Sequence, residues 1–133
     1  MKSDFFETLK GKTLTLQKII NDDDTYAGLL STASLTRFML DTSWKLLAKE
    51  LPEEFTSVTA QVMVSHEEPT IAGETLTVNA SVMGTVENRV FISFEAVDES
   101  GVIAHGRNER HVVEKNMLHE FAEVRAEKLR KIR

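Results

Sequence analysis

Residues 31–49 read STASLTRFMLDTSWKLLAK, a segment with no Gly or Pro and a helical period. Leu35, Phe38, Met39, Thr42, Leu46 and Leu47 recur three or four apart, so they predict one broad buried face. Ser31, Thr32 and Ser34 supply hydroxyls that can accept from the unpaired amides of a first turn. At 1.5 Å per residue the helix runs roughly 28 Å. Almost everything after it reads as strand. A single long helix and a run of antiparallel strands bury their apolar faces most simply when the sheet wraps the helix.

The strands are legible from alternation. Lys12 to Ile20 sets Leu14, Leu16 and Ile19 against Thr13, Thr15 and Gln17. Pro52 closes the helix. Between Glu54 and His66, Val58, Ala60, Val62 and Val64 predict one face, and Thr59, Gln61, Met63 and Ser65 the other. The apolar face continues two residues beyond Val64 to His66, which places an imidazole at the mouth of the core. Leu76, Val78, Ala80 and Val82, then Val90, Ile92, Phe94 and Ala96, form two further inward faces. Glu87-Asn88 reads as a tight connection in which Asn takes the left-handed backbone, and Asp98-Glu99-Ser100-Gly101 as a longer one. The last strand, Val102 to about Glu114, puts Ala104, Gly106 and Val112 on the same face as Asn108 and Arg110. Either a bulge near Gly106 changes the facing or an arginine points inward, where it needs an anion or several acceptors. His105, Arg107, Glu109 and His111 alternate in charge on the opposite, solvated or interface-paired face.

The ends and the breaks are plainer. Residues 1–11 predict a short helix or turn that packs Phe5 and Phe6. Asn21-Asp22-Asp23-Asp24 is a solvated loop by composition; the spaced Gly and distal Glu of a calcium loop are absent, so no metal is expected. Tyr26 to Leu30 leads into the long helix. Lys115 to Arg133 predicts a terminal helix, with Glu120, Glu123 and Glu127 early and Arg130, Lys131 and Arg133 late, as the helix dipole favours.

Composition sets the bounds. The 133 residues suffice for one domain with a core, and the 41% hydrophobic and 28% charged content is that of an ordinary globular chain. There is no cysteine, hence no disulfide framework and no thiolate nucleophile. A net charge of -5 argues against nucleic acid as a partner. No apolar run is long enough to cross a membrane, and MKSDFFETLK has acids where a secretory signal needs an apolar centre, so a cytoplasmic location is expected.

The segments LSTASLTRFMLDTSW, VSHEEPTIAGETLTVNASV and ISFEAVDESGVIAHGRNERHVV resemble the hotdog-fold acyl-CoA thioesterases related to fluoroacetyl-CoA thioesterase, over about Ser31 to Val113. The carriers are His66 followed after six residues by Gly-x-Thr-x-x-Val from Gly73, and Asn108-Glu109-Arg110-x-Val-Val. The resemblance implies a single α+β hotdog domain over residues 1–133, its sheet pairing edge to edge with a second copy. It implies hydrolysis of an acyl-CoA thioester at that interface, without a cofactor. The catalytic residues it implies are Thr32 and His66; the family's acid position falls on Leu40, with Asp41 the next carboxylate and the candidate substitute. The substrate-binding residues are Arg110, Thr59 and Gly73.

Each of these residues also has a plainer reading. Thr32 is either a nucleophile or water holder, or a helix cap. His66 is either the acid–base group or a strand-end histidine bonded to a loop carbonyl. Asp41 is either a base or a solvated helix residue. Arg110 is either a substrate anchor or the partner of a carboxylate. Leu40 leaves open a protein that binds an acyl-CoA without hydrolysing it.

Overall fold

The computed structural model describes residues 3–132. Arg133, expected among the terminal cations, and residues 1–2 of the expected first turn lie outside them. In chain order the elements are α1 (Ser3–Glu7), β1 (Thr13–Ile19), a 3-10 turn (Asp22–Asp24), β2 (Thr25–Tyr26), β3 (Leu29–Leu30), α2 (Thr32–Ala48), β4 (Phe55–His66), β5 (Thr75–Val86), β6 (Arg89–Val97), β7 (Val102–Glu114) and α3 (Lys115–Ile132). Five strands form one antiparallel sheet in the order β1-β5-β6-β7-β4. Its concave face carries the alternating apolar residues that the sequence predicts on β5 and β6, and α2 lies against it. This is the α+β architecture of one helix wrapped by a sheet.

The buried face of α2 is Leu35, Met39, Thr42, Ser43, Leu46 and Leu47. Ser43 joins the expected set, and Phe38 sits half-buried at its margin with Lys18 Nζ 6.0 Å from the ring centre. Trp44 points away from the core and is 45% exposed. On β1 the pattern is Leu14 and Leu16 inward; Ile19, expected inward, is exposed, and Ile20 just beyond the strand is buried instead. Period-2 alternation puts Ile19 on the outer face with Thr15 and Gln17. Those two bond across to Asn79 (2.7 Å) and Thr77 (3.0 Å).

Two expectations on β4 and β7 are corrected. Gly106 sits in regular pairing, opposite Val64 on one side and Phe94 on the other. The irregularity lies on β4, where Ala60 is the extra residue between Thr59↔Arg110 and Gln61↔Glu109. One added residue inverts the facing of everything after it. Ser57 and Thr59 therefore face inward before the bulge, and Val62, Val64 and His66 after it. Val58 and Ala60, expected inward, lie on the other side. Gly106 has a different purpose: a Cβ there would lie 2.7 Å from the Met63 carbonyl oxygen and 3.3 Å from the Phe94 ring.

The turns also differ in detail. At the β5–β6 connection Glu87, not Asn88, takes positive φ (56°). Asn88 is held by its side-chain amide donating to the Val112 carbonyl (3.1 Å). Tyr26 to Leu30, expected as a lead-in, is a small hairpin turned by Ala27 (φ 54°) and Gly28 (φ 81°). The aspartate turn is held by Asp24, which accepts from Lys18 Nζ at 2.7 Å and the Asn21 amide at 3.0 Å; Lys18 keeps its carboxyl below the usual range.

Gly106→Ala tests the close approach at β7. Neither the Met63 carbonyl nor the Phe94 ring can yield without moving a strand, so the substitution should cost about 1–3 kcal/mol of unfolding free energy in urea melts. A variant as stable as the parent would contradict the packing described.

Candidate functional site

The chain enters α2 from the Tyr26–Leu30 hairpin, and the entry is pinned at every step. The Leu30 amide donates to the Thr70 carbonyl (2.7 Å) and the Ser31 amide to the Asp24 carbonyl (2.9 Å). Ser31 is the helix cap, its hydroxyl accepting from the Ser34 amide at 3.0 Å. The cap reading of Thr32 is therefore corrected. Capping is done by its neighbour, so the Thr32 hydroxyl is free for another partner. It finds His66: Thr32 Oγ1 lies 2.8 Å from His66 Nδ1.

His66 reaches this position from the last residue of β4, opposite Ala104 on β7. The bulge at Ala60 is what turns it inward. Its second ring nitrogen, Nε2, is buried and has no hydrogen-bond partner among the described residues. A hydroxyl and an imidazole nitrogen at 2.8 Å are within reach for proton transfer. The first amides of a helix carry no intrahelical partner and lie at the positive end of its dipole. Thr32 thus stands beside ready donors for a developing oxyanion.

The acid is not where a triad would want it. Leu40 is half-buried and apolar. Asp41 lies nine residues beyond Thr32, about 180° around α2 and roughly 13 Å along it. It is exposed and makes no bond to His66.

Arg110 is the surprise. It is 5% exposed and points inward, the second of the two readings of its strand. Among the described residues no carboxylate pairs with it. Its guanidinium instead donates to neutral acceptors: Nε to Ser57 Oγ (2.8 Å), Nη2 to the Ser57 carbonyl (3.0 Å), and Nη1 to Thr59 Oγ1 (2.9 Å) and Asn108 Oδ1 (3.0 Å). Ser43 on α2 completes the cluster by donating to Asn108 Oδ1 at 2.7 Å. Burial pushes Arg110 down to about 10, still cationic at neutral pH. Thr59 Oγ1 accepts from Arg110 and, at 3.3 Å, from Asn108 Nδ2. Its own proton is therefore left to donate outward, polarised by the cation behind it.

The expected site residues fall into two groups. Thr32 and His66 come together at the start of α2; Arg110 and Thr59 come together six residues further along β7 from Ala104, roughly 20 Å away by strand rise. Gly73 belongs to neither group's hydrogen bonds. It turns the loop before β5 at φ 96°, its amide donating to the Ile20 carbonyl at 2.7 Å. Sequence reasoning missed Ser57, Ser43 and Asn108 as one cluster, because their meeting needs the bulge. It also missed the exposed apolar side chains on and beside the hairpin that leads into α2. Tyr26 is 82% exposed, Leu29 and Ile71 are exposed, and a backbone bridge joins Leu29 to Ile71. The available signal was Ala27-Gly28 between Thr25-Tyr26 and Leu29-Leu30, a short-hairpin pattern.

The cluster makes a stability prediction. A lysine cannot reproduce the planar fork, so Arg110→Lys should leave at least two of the Ser57, Thr59 and Asn108 acceptors unpaired. That should lower the unfolding free energy by about 1–3 kcal/mol. Equal urea midpoints for the two proteins would sink this account.

Comparison with known proteins agrees with the fold. No curated protein matches the chain. Among solved structures, a hot-dog-like protein from Thermanaerovibrio acidaminovorans is 29% identical, with a TM-score of 0.85 over 90% of this chain and 96% of that one. A thioesterase superfamily member from Thermus thermophilus is 20% identical, with a TM-score of 0.86 over 92% and 96%. The fluoroacetyl-CoA thioesterase itself is 21% identical, with a TM-score of 0.80 over 88% and 95%. The family described as fluoroacetyl-CoA-specific thioesterase matches residues 14–116, from β1 to the start of α3 and so across both groups of site residues. The chain folds as a hotdog protein and belongs to the fluoroacetyl-CoA-specific thioesterase family.

Proposed function

We propose that this protein hydrolyses an acyl-CoA thioester, with Thr32 as nucleophile and His66 as acid–base group. The observation that carries the reading is the 2.8 Å approach of Thr32 Oγ1 to His66 Nδ1 at the open end of α2. Membership of a thioesterase family supplies the substrate class. A related fluoroacetyl-CoA thioesterase structure holds acetyl-CoA.

The steps follow from the geometry. His66 Nδ1 takes the Thr32 proton as Oγ1 attacks the thioester carbonyl, and amides at the helix start receive the oxyanion. Collapse breaks the carbon–sulfur bond, and His66 returns the proton to the leaving thiolate. Water, deprotonated by His66, then attacks the acyl–threonine ester; the products are the free acid, CoA and the original hydroxyl. Tyr26, Leu29 and Ile71 offer the acyl group an apolar rim. We assign the Thr59–Arg110 pair to substrate as well, through a second copy. β4 is the last strand of the sheet, with an unpaired edge. An antiparallel edge-to-edge pair lays the start of one β4 beside the end of the other, which carries Thr59 and Arg110 of that copy toward His66.

Leu40 favours a second reading. An imidazolium formed at His66 has no carboxylate behind Nε2 to stabilise it, and loss of that group in a triad costs on the order of 10⁴ in rate. A protein so built can hold an acyl-CoA and turn it over very slowly, as a binding protein would.

Thiol release from short, branched and aromatic acyl-CoAs separates the readings. Hydrolysis should fall at least about 10²-fold in His66→Ala and Thr32→Ala, with binding by calorimetry kept. Binding without release above the His66→Ala rate would replace the enzyme with the binding protein, and neither binding nor release would remove both. Leu40→Glu should raise kcat if its carboxylate reaches Nε2; an unchanged kcat in a folded variant would show that position 40 does not serve the histidine.

A further inference from the structure

The loop that leaves β4 joins the two members of the Thr32–His66 pair by a second route. At its start the Glu67 and Glu68 amides both donate to the Ile103 carbonyl, at 2.7 and 3.1 Å, so the residues just after His66 are tied to β7. Further along the same loop stands Thr70, 2% exposed. Its carbonyl accepts from the Leu30 amide at 2.7 Å, just ahead of Thr32 in the chain. The next residue, Ile71, bridges to Leu29.

Thr70 is in turn held from the β6–β7 connection. Its hydroxyl donates to Asp98 Oδ2 at 2.8 Å, a charge-assisted bond. Asp98 Oδ1 accepts from the Ser100 and Gly101 amides at 2.8 and 3.1 Å, and the Asp98 amide donates to the Gly101 carbonyl at 2.9 Å. The carboxylate is thus fixed by its own turn. Glu99 ties that turn to the start of β5: its carboxylate accepts from the Thr75 amide at 3.1 Å, and its amide donates to Glu74 Oε1 at 3.2 Å. β7 begins directly after the turn and carries both the Ile103 carbonyl and Ala104, the strand partner of His66. One turn therefore references the helix entry on one side and the histidine on the other.

We propose that Thr70, anchored by Asp98, is a positioning residue that sets the height at which the chain enters α2, and so the reach from Thr32 Oγ1 to His66 Nδ1. The role rests on the reading of Thr32 and His66 as the reacting pair. The other tie at the helix entry, from the Ser31 amide to the Asp24 carbonyl, runs to the turn after β1, at the opposite edge of the sheet from β4. It leaves the distance to His66 unset. That distance matters steeply, since a displacement of about 1 Å can cost on the order of 10²-fold in rate.

Thr70→Val removes the donor and keeps the shape. In the folded variant the Leu30 amide should exchange with solvent at least about tenfold faster, while amides of β5 and β6 keep their protection. The His66 Nδ1 nitrogen resonance should shift as its bond to Thr32 loosens. Where the parent releases thiol, kcat should fall roughly tenfold with KM changed less than about twofold. Thr70→Ser returns the hydroxyl and should restore all three. If the Val variant does not fold, Thr70→Ala removes the same donor without setting a methyl against the carboxylate. A folded variant of lower stability with unchanged Leu30 exchange and His66 resonance would overturn the role and leave Thr70 a plain brace. A Ser variant as impaired as Val would overturn it too. A parent that releases no thiol would end the hydrolytic reading alone, and the exchange and nitrogen measurements would still decide whether Thr70 sets the distance.

Discussion

One extra residue in a strand decides which polar side chains of β4 face the helix. The bulge at Ala60 interrupts the pairing of β4 with β7 and inverts the facing of the residues beyond it. Upstream, Ser57 and Thr59 look inward and meet Arg110. Downstream, His66 looks inward and meets Thr32. Without the added residue a strand of strict period 2 could serve one end or the other. With Thr59 inward, Ser65 rather than His66 would turn toward the helix, and no base would stand beside the threonine.

The two ends answer different physical demands. At the Arg110 end a buried cation is held by hydroxyls, an amide and a carbonyl and by no carboxylate. Such an arrangement stabilises little on balance, because neutral acceptors only offset the desolvation of the guanidinium. It fixes geometry instead, locking Asn108 to Ser43 on α2 and aiming the Thr59 hydroxyl at the free edge of the sheet. At the His66 end a hydroxyl and an imidazole meet beside the positive end of a helix. The start of α2 supplies both, since Ser31 takes the capping role and leaves Thr32 to the histidine.

The same economy explains what is missing. Leu40 puts an apolar side chain on α2, and the His66 ring is left with a buried Nε2 that nothing among the described residues satisfies. Thr32 and His66 thus meet at one end of the sheet, and Thr59 and Arg110 at the other. A sheet with an open β4 edge presents a surface that a second chain can satisfy.

Much of this was legible in the sequence. The 3.6 period of residues 31–49 and the period-2 alternation of β5 and β6 fixed the layers, because burial on one face writes itself directly into residue spacing. His66 at a strand end and Arg110 on an inward face were likewise visible from alternation, and the family motifs around them pointed to thioester chemistry. Composition left the bulge unannounced: Ala60 is an apolar residue in an apolar pattern, and only the pairing with β7 shows that it is the surplus one. Ser31 and Thr32 were equivalent caps on paper, and the fold separated them by bringing an imidazole to one and an amide to the other. Spacing along a chain records which face a residue prefers. Which residues meet across strands depends on register, and register is set by the sum of contacts over the whole sheet.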